Sequence, residues 1–140
     1  MNRENVIIYL NSTGDEMMDQ KAIAIIEDYC NSKGYKIIKV AGEDTELGGI
    51  SFLMKYAFVG LAAEGEINKV VTIGRYMIGD TNQVLEFIGM LEDYNAYVET
   101  VADDMADMYD LLFSNSSHDN GIEIEVDEFL KSIALLFDID

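Results

Sequence analysis

Proline is missing from this 140-residue sequence, cysteine and histidine occur once each, and 9 basic residues face 27 acidic ones. Each shortage excludes something. About seven prolines would be average at ~5% usage, and no low-complexity linker or internal repeat is visible. At about 100–200 residues per domain, the sequence predicts a single domain over 1–140. A lone Cys30 excludes an internal disulfide and fits a reducing compartment. The shortage of bases leaves a net charge of −18, which repels DNA phosphate and anionic lipid and favours basic partners or plain solubility. Long hydrophobic runs are also lacking. The greasiest stretch, residues 50–63, is interrupted by Lys55 and is too short to span a bilayer. The opening Met-Asn-Arg-Glu-Asn has no apolar signal core. These features predict a soluble, cytoplasmic protein.

Apolar residues make up 49% of the chain, enough for a real core. Val70, Val71, Thr72 and Ile73 are all β-branched and too few for a helix, which predicts a strand buried on both faces. Gly74 ends that run and Arg75 follows. In an open parallel sheet, sites gather beyond the carboxyl ends of the strands, so Arg75 is either a site residue or a solvated loop arginine. Further strands are predicted near 5–10, 35–41 and 97–101. Between them lie helices at 16–33, 50–64 and about 80–95, with an acidic loop from Gly42 to Gly49. The first helix has Asp15 to cap it, Gly34 to stop it, and a stripe of Met18, Ala22, Ile25, Ile26, Tyr29 and Cys30. On the third, Val84, Leu85, Ile88 and Leu91 are expected inward. Strand–helix alternation with crossovers of helical length implies an α/β fold of three layers. Its sheet is mainly parallel, of four or five strands, with helices on both faces.

Residues 102–140 are an acidic C-terminal segment. Residues 99–140 hold 12 carboxylates against Lys131 alone, a net of −11. The segment is read as a short helix at 102–113, a polar loop at 114–121 and an amphipathic helix at 126–137. Val126, Phe129, Leu130, Ile133, Leu136 and Phe137 line one side of that last helix, a stripe wide enough to need the sheet or a second subunit.

Several constellations admit two readings. Ser12, Thr13 and Asp15 form either a nucleophile with its neighbours or a helix N-cap. Asp103, Asp104, Asp107 and Asp110 have one-turn spacing and either gather a hard cation or line a solvated face. Ser116 to Asp127 has Gly121 where a calcium loop would turn, but a serine, a histidine and Glu123 at its key positions defeat the match. His118 has no partner in sequence. Cys30, on the apolar stripe, is read as a packing residue. Gly48-Gly49 lacks the spacing of a phosphate loop, and there is no dinucleotide fingerprint, so no cofactor is predicted.

In order along the chain, these segments resemble the N-terminal catalytic domain of the serine recombinases, the resolvase/invertase family. Val6-Ile7-Ile8-Tyr9 with Ser12-Thr13 is similar to that family's opening strand, an apolar run ending in Tyr-x-Arg-x-Ser-Thr. Gln20 and Tyr29-Cys30-Asn31-Ser32-Lys33-Gly34-Tyr35 resemble its first helix and exit. Asp44 matches an Asp in the next strand and loop, and Ile73-Gly74-Arg75-Tyr76-Met77-Ile78 aligns with Leu-Asp-Arg-Leu-Ser-Arg. The last helix looks like the start of the one that pairs subunits. The resemblance covers about residues 5–138, poorly at 102–121, and implies a resolvase-like fold.

It also implies a chemistry: a serine attacks a DNA phosphodiester while arginines stabilise the charge on phosphorus. Here the sequence departs. The arginine after the strand tyrosine is Asn11, the nucleophile falls on Ser12 or Thr13, the family's middle Arg-Pro has no counterpart, and the second strand-end arginine is Ile78. Arg75 alone remains. A catalytic arginine is worth about 10³–10⁵ in rate, so the resemblance is to a degenerate member. The sequence predicts a catalytically impaired module for protein association, either a homodimer or a complex with a related chain. Its interface would be Phe129, Leu130, Ile133, Leu136 and Phe137. The alternatives are an active recombinase domain using Ser12 or Thr13 with Arg75, and an acidic decoy that mimics DNA.

Overall fold

The computed structural model describes residues 3–102. β1 (Asn5–Asn11), β2 (Lys36–Glu43), β3 (Lys69–Thr72) and β4 (Tyr97–Thr100) form one all-parallel sheet in the order β2-β1-β3-β4. The central strands carry the apolar runs: Val6 to Leu10 and Val70 to Thr72 are buried throughout. That continuous burial, rather than alternation, is what a parallel sheet covered on both faces demands. At the β2 edge the register skips Ile38, since Val6 pairs with Ile37 and Ile7 with Lys39. A bulge with exposed Lys36 and Lys39 beside it guards an edge strand against pairing with another chain.

Three helices cover the sheet: α1 (Glu16–Ser32), α2 (Phe52–Ala63) and α3 (Thr81–Glu92). The chain runs from β1 through α1 to one side, then back across β1 through α2 to β3 and on through α3 to β4. Right-handed crossovers therefore place α1 on one face and α2 with α3 on the other. Side chains agree. Phe58 of α2 meets Tyr9 edge-on at 5.9 Å between ring centroids and lies 6.3 Å from Phe87 of α3. Tyr29 of α1 instead reaches Glu99, whose register partner Val71 pairs in turn with Ile8, on the face opposite Tyr9. The three-layer fold expected from the sequence is present, with four strands among the described residues.

Local signals act as anticipated at most ends. The Asp15 carboxylate accepts from Met17 N and Met18 N to cap α1, and Gly34 follows its end at φ +75°. Two details differ from expectation. β2 continues through Gly42 to Glu43, because Asn11 of β1 is long enough to pair with it, so the loop begins at Asp44. On α3 the inward face is Val84, Phe87 and Leu91, whereas Leu85 is 62% exposed. Spacing of three and four residues selects Phe87, and Leu85 lies about 100° away around the helix from Val84. The segments read as helices at 102–113 and 126–137, the Asp103–Asp110 cluster, His118 and the 116–127 loop lie outside the described residues.

Candidate functional site

Three loops meet beyond the carboxyl edge of the sheet: residues 12–15 after β1, residues 44–51 after β2, and residues 73–80 after β3. The first is organised by Asp19 in the opening turn of α1. Ser12 Oγ donates to Asp19 Oδ2 at 2.6 Å, while Thr13 donates through its backbone N and its Oγ1 to Asp19 Oδ1, both at 3.0 Å. Each hydroxyl is also an acceptor, Ser12 Oγ from Gly14 N at 3.1 Å and Thr13 Oγ1 from Asp15 N at 3.3 Å. Both candidate nucleophiles are thus tied into one turn by one carboxylate. Asp15 alone of the three sequence candidates takes the helix-capping part.

Asn11 is fully buried at the end of β1. Its amide Nδ2 donates to Thr45 Oγ1 at 2.8 Å and to Gly49 O at 3.2 Å, and its Oδ1 accepts from Thr45 N at 3.2 Å. Asn11 N itself points at the Met77 sulfur, 3.3 Å away. Beside it, Tyr9 OH donates to Glu43 Oε2 at 2.6 Å, and that oxygen also accepts from Ser51 N at 2.9 Å, which is the cap of α2. Burial, helped by the Glu43 carboxylate, drives the Tyr9 phenol far above its ordinary pKa, so it stays a donor. The polar groups where β1 ends therefore hold the 44–51 loop against the sheet.

Arg75 opens a single 3-10 turn, Arg75–Met77, directly after Gly74. It is exposed and, among the described residues, its guanidinium makes no hydrogen bond or ion pair. It lines an open cleft of about 840 Å³ between this turn, Leu47-Gly48 and the start of α3; Ser12 and Thr13 do not line that cleft. The link between the two places is Tyr76: burial raises its pKa, and the nearby Asp19 charge raises it further. The structure thus gathers Ser12 and Thr13 around Asp19, and Arg75 lines a cleft that neither hydroxyl residue lines.

The far wall of the cleft depends on glycine. Asp80 and Gln83 form a reciprocal cap on α3, with Gln83 N donating to Asp80 Oδ1 and Asp80 N to Gln83 Oε1, both at 2.8 Å. Gly79, at φ +143°, lies under that amide, and a β-carbon there would meet Gln83 Oε1 at 2.2 Å.

A second polar cluster lies on the α1 face. Glu99 accepts from Tyr29, from Tyr35 at 2.9 Å and from Lys69 Nζ at 2.7 Å, and Lys69 reaches Glu4 at 3.2 Å. Burial alone would raise the Glu99 pKa, but the hydrogen bonds from Lys69, Tyr29 and Tyr35 hold it below the ordinary carboxylate range. Cys30 is buried below this cluster, and burial with the Glu99 and Glu27 charges pushes its thiol up to about 11, which leaves it unreactive near neutrality. Among the described residues no group of three or more His, Cys, Asp or Glu is placed to hold a metal, and no helix is long and apolar enough to cross a membrane.

Sequence reasoning missed Asp19, Glu43 and the part played by Asn11. Asp19 had a weak signal, a first-turn carboxylate one helical turn after the capping Asp15. Glu43 had none, because its role comes from the β1–β2 register.

The chain is similar to the C-terminal catalytic domain of ISC1926 TnpA, an IS607-like serine recombinase, at 15% identity and TM-score 0.60, covering 93% of this chain and 99% of that one. It is similar to the corresponding domain of IS1535 TnpA, also IS607-like, at 9% identity and TM-score 0.55, with 98% of each covered. A third likeness is to the first open reading frame of transposon ISC1904 from Sulfolobus solfataricus P2, at 14% identity and TM-score 0.54, covering 94% and 97%. No protein-family model matches the sequence, and no curated protein matches it. At these identities the likeness is one of fold: this chain has the fold of a serine recombinase catalytic domain.

Proposed function

We propose that the protein is a recombinase-like domain that has given up strand cutting and works by association, pairing with a second copy through the stripe on residues 126–137. The observation that carries this reading is Asn11. It stands where the resemblance expects an arginine, and its hydrogen-bonding capacity is spent on Thr45 and Gly49. A phosphoryl site at Ser12 would also face the Asp19 carboxylate at 2.6 Å, while the exposed Arg75 lines a cleft that Ser12 and Thr13 do not line. Negative charge developing on phosphorus would then meet a carboxylate where preorganised cations are needed.

Association has its own support. Burying one large apolar side chain contributes roughly 1.5–3 kcal/mol, so Phe129, Leu130, Ile133, Leu136 and Phe137 together offset the entropy of pairing. On this reading residues 1–140 act as one unit. The net charge of −18 opposes pairing, so salt should strengthen it. Light scattering at micromolar concentration tests the reading. The expected result is a dimer whose Phe129→Asp variant is a monomer; a wild-type monomer at high salt would overturn it.

One contact favours a second reading. Ser12 Oγ already donates to Asp19, an arrangement that also suits deprotonation of a nucleophile. Under that reading an active domain would leave a covalent Ser12–DNA adduct visible by mass spectrometry.

A further inference from the structure

We propose that the outward side of α2 is a self-association surface, on which the α2 of a second copy lies antiparallel. The contact goes beyond the pairing reading above and uses none of residues 126–137.

The helix is apolar on the side that faces water. Its buried residues are Phe58 and Ala62. On the outside Leu53 is 83% exposed, Phe52 69% and Tyr56 49%, with exposed Gly60 and Ala63 completing the side. A helix that is apolar all round is ordinarily covered all round. Charge points to a like surface as the cover. α1 and α3 both carry acidic residues, whereas α2 carries neither Asp nor Glu. In a chain of net charge −18, two copies repel each other least where such helices meet.

The side is also complementary to itself. Leu53, Tyr56, Gly60 and Ala63 follow at spacings of three, four and three residues, which makes one straight seam. Its first half is large and its second half small. Two such seams packed antiparallel about a two-fold axis set Leu53 against the partner's Ala63 and Tyr56 against the partner's Gly60. Space for the ring is present, since a β-carbon built at Gly60 meets nothing within 4 Å.

The aromatic half is ordered in advance. The Phe52 and Tyr56 rings lie 4.5 Å apart, and Lys55 Nζ sits 5.6 Å and 5.9 Å from their centroids. Glu86 of α3 fixes that ammonium at 2.7 Å. Rings already held in place lose little freedom on docking, and such anchors carry most of an interface's energy. At about 150–250 Å² for a whole aromatic side chain, the exposed parts of Phe52, Leu53 and Tyr56 offer on the order of 400 Å² per copy. With the small residues added, two copies bury about 1,000 Å², the lower end for a specific contact. The contact is therefore a weak one that fills at high protein concentration.

The test is sedimentation equilibrium from micromolar to millimolar protein, in a Phe129→Asp background that removes the stripe of the pairing reading. The series is that parent and the same chain with Leu53→Asp, Gly60→Leu or Leu85→Asp. Leu85 is the control, being 62% exposed but on α3. The parent is expected to pair as its concentration rises. Leu53→Asp and Gly60→Leu should each weaken that pairing by about tenfold or more, and the control should stay within about twofold. Leucine is a better helix former than glycine, so a loss in Gly60→Leu reads the filled hollow rather than a damaged helix. A parent that stays monomeric throughout, or four proteins that pair equally, would overturn the proposal. Urea unfolding at low concentration should give Leu53→Asp the midpoint of its parent; a lower one would mean α2 is covered within its own chain, which also overturns it. Failure of the pairing reading leaves these results untouched, because the stripe is disabled in every variant. The same substitutions in wild type, read as the step beyond two chains, repeat the test should the background variant not fold.

Discussion

Asn11 and Thr45 hold each other twice: the Asn11 amide nitrogen donates to Thr45 Oγ1 at 2.8 Å, and its oxygen accepts from Thr45 N at 3.2 Å. That exchange fastens the loop after β2 to the end of β1 in a fully buried position. A side chain at this point that reached out to a ligand would release the loop. On the proposed reading, the structural use of position 11 takes the place of a catalytic one.

Replacing Asn11 should therefore cost stability rather than activity. Asn11→Ala leaves Thr45 N without its acceptor, while Gly49 O keeps Thr45 Oγ1 as a donor at 2.8 Å, and an unsatisfied buried group costs about 1–3 kcal/mol. We expect a loss of about 1–3 kcal/mol in urea unfolding. Asn11→Arg, which restores the residue the resemblance expects, should lose at least as much because the guanidinium has no room beside Met77. A variant as stable as wild type would show that the loop is held elsewhere.

Two glycines separate backbone need from helix propensity. At Gly79 the positive φ and the close Gln83 amide both oppose a β-carbon, so Gly79→Ala should destabilise by about 1–3 kcal/mol. Gly60, inside α2 with open space around it, should behave oppositely, Gly60→Ala stabilising by about 0.5–1 kcal/mol. Chemical denaturation of the two variants side by side decides; equal effects would contradict the geometry at Gly79.

Much of this was legible before the fold was known. The strands were clear because central strands of a covered parallel sheet are unbroken apolar runs, and Val6 to Leu10 and Val70 to Ile73 are such runs. Asp15 and Gly34 marked α1 because capping is a local property of the backbone. Leu85 was misplaced for a physical reason: apolar residues at neighbouring helix positions look alike, and packing of Phe87 against Phe58 decided which one turned inward. The site was less legible. That Ser12 and Thr13 share Asp19, and that Arg75 lines a cleft they do not, depends on how three loops meet, which spacing along the chain does not encode.

The Glu99 cluster should make part of the stability pH-dependent. Its folded pKa lies below the ordinary value, so its contribution is present above about pH 4.3, the unfolded value, and is lost as pH falls through the folded pKa. Urea unfolding should show wild type more stable than Glu99→Gln at pH 7, with the margin shrinking once the pH drops below about 4.3. A margin that stays constant into acid would mean the carboxylate gains nothing from Tyr29, Tyr35 and Lys69.

Sedimentation velocity of the wild-type protein at physiological salt, alone and with a fluorescently labelled DNA duplex, reads both halves of the functional account at once. The account predicts that the protein sediments with the mass of two chains and that the duplex keeps its own sedimentation rate and length. A protein that sediments as one chain and moves with the DNA, or a duplex shortened and covalently attached at Ser12 or Thr13, would contradict it.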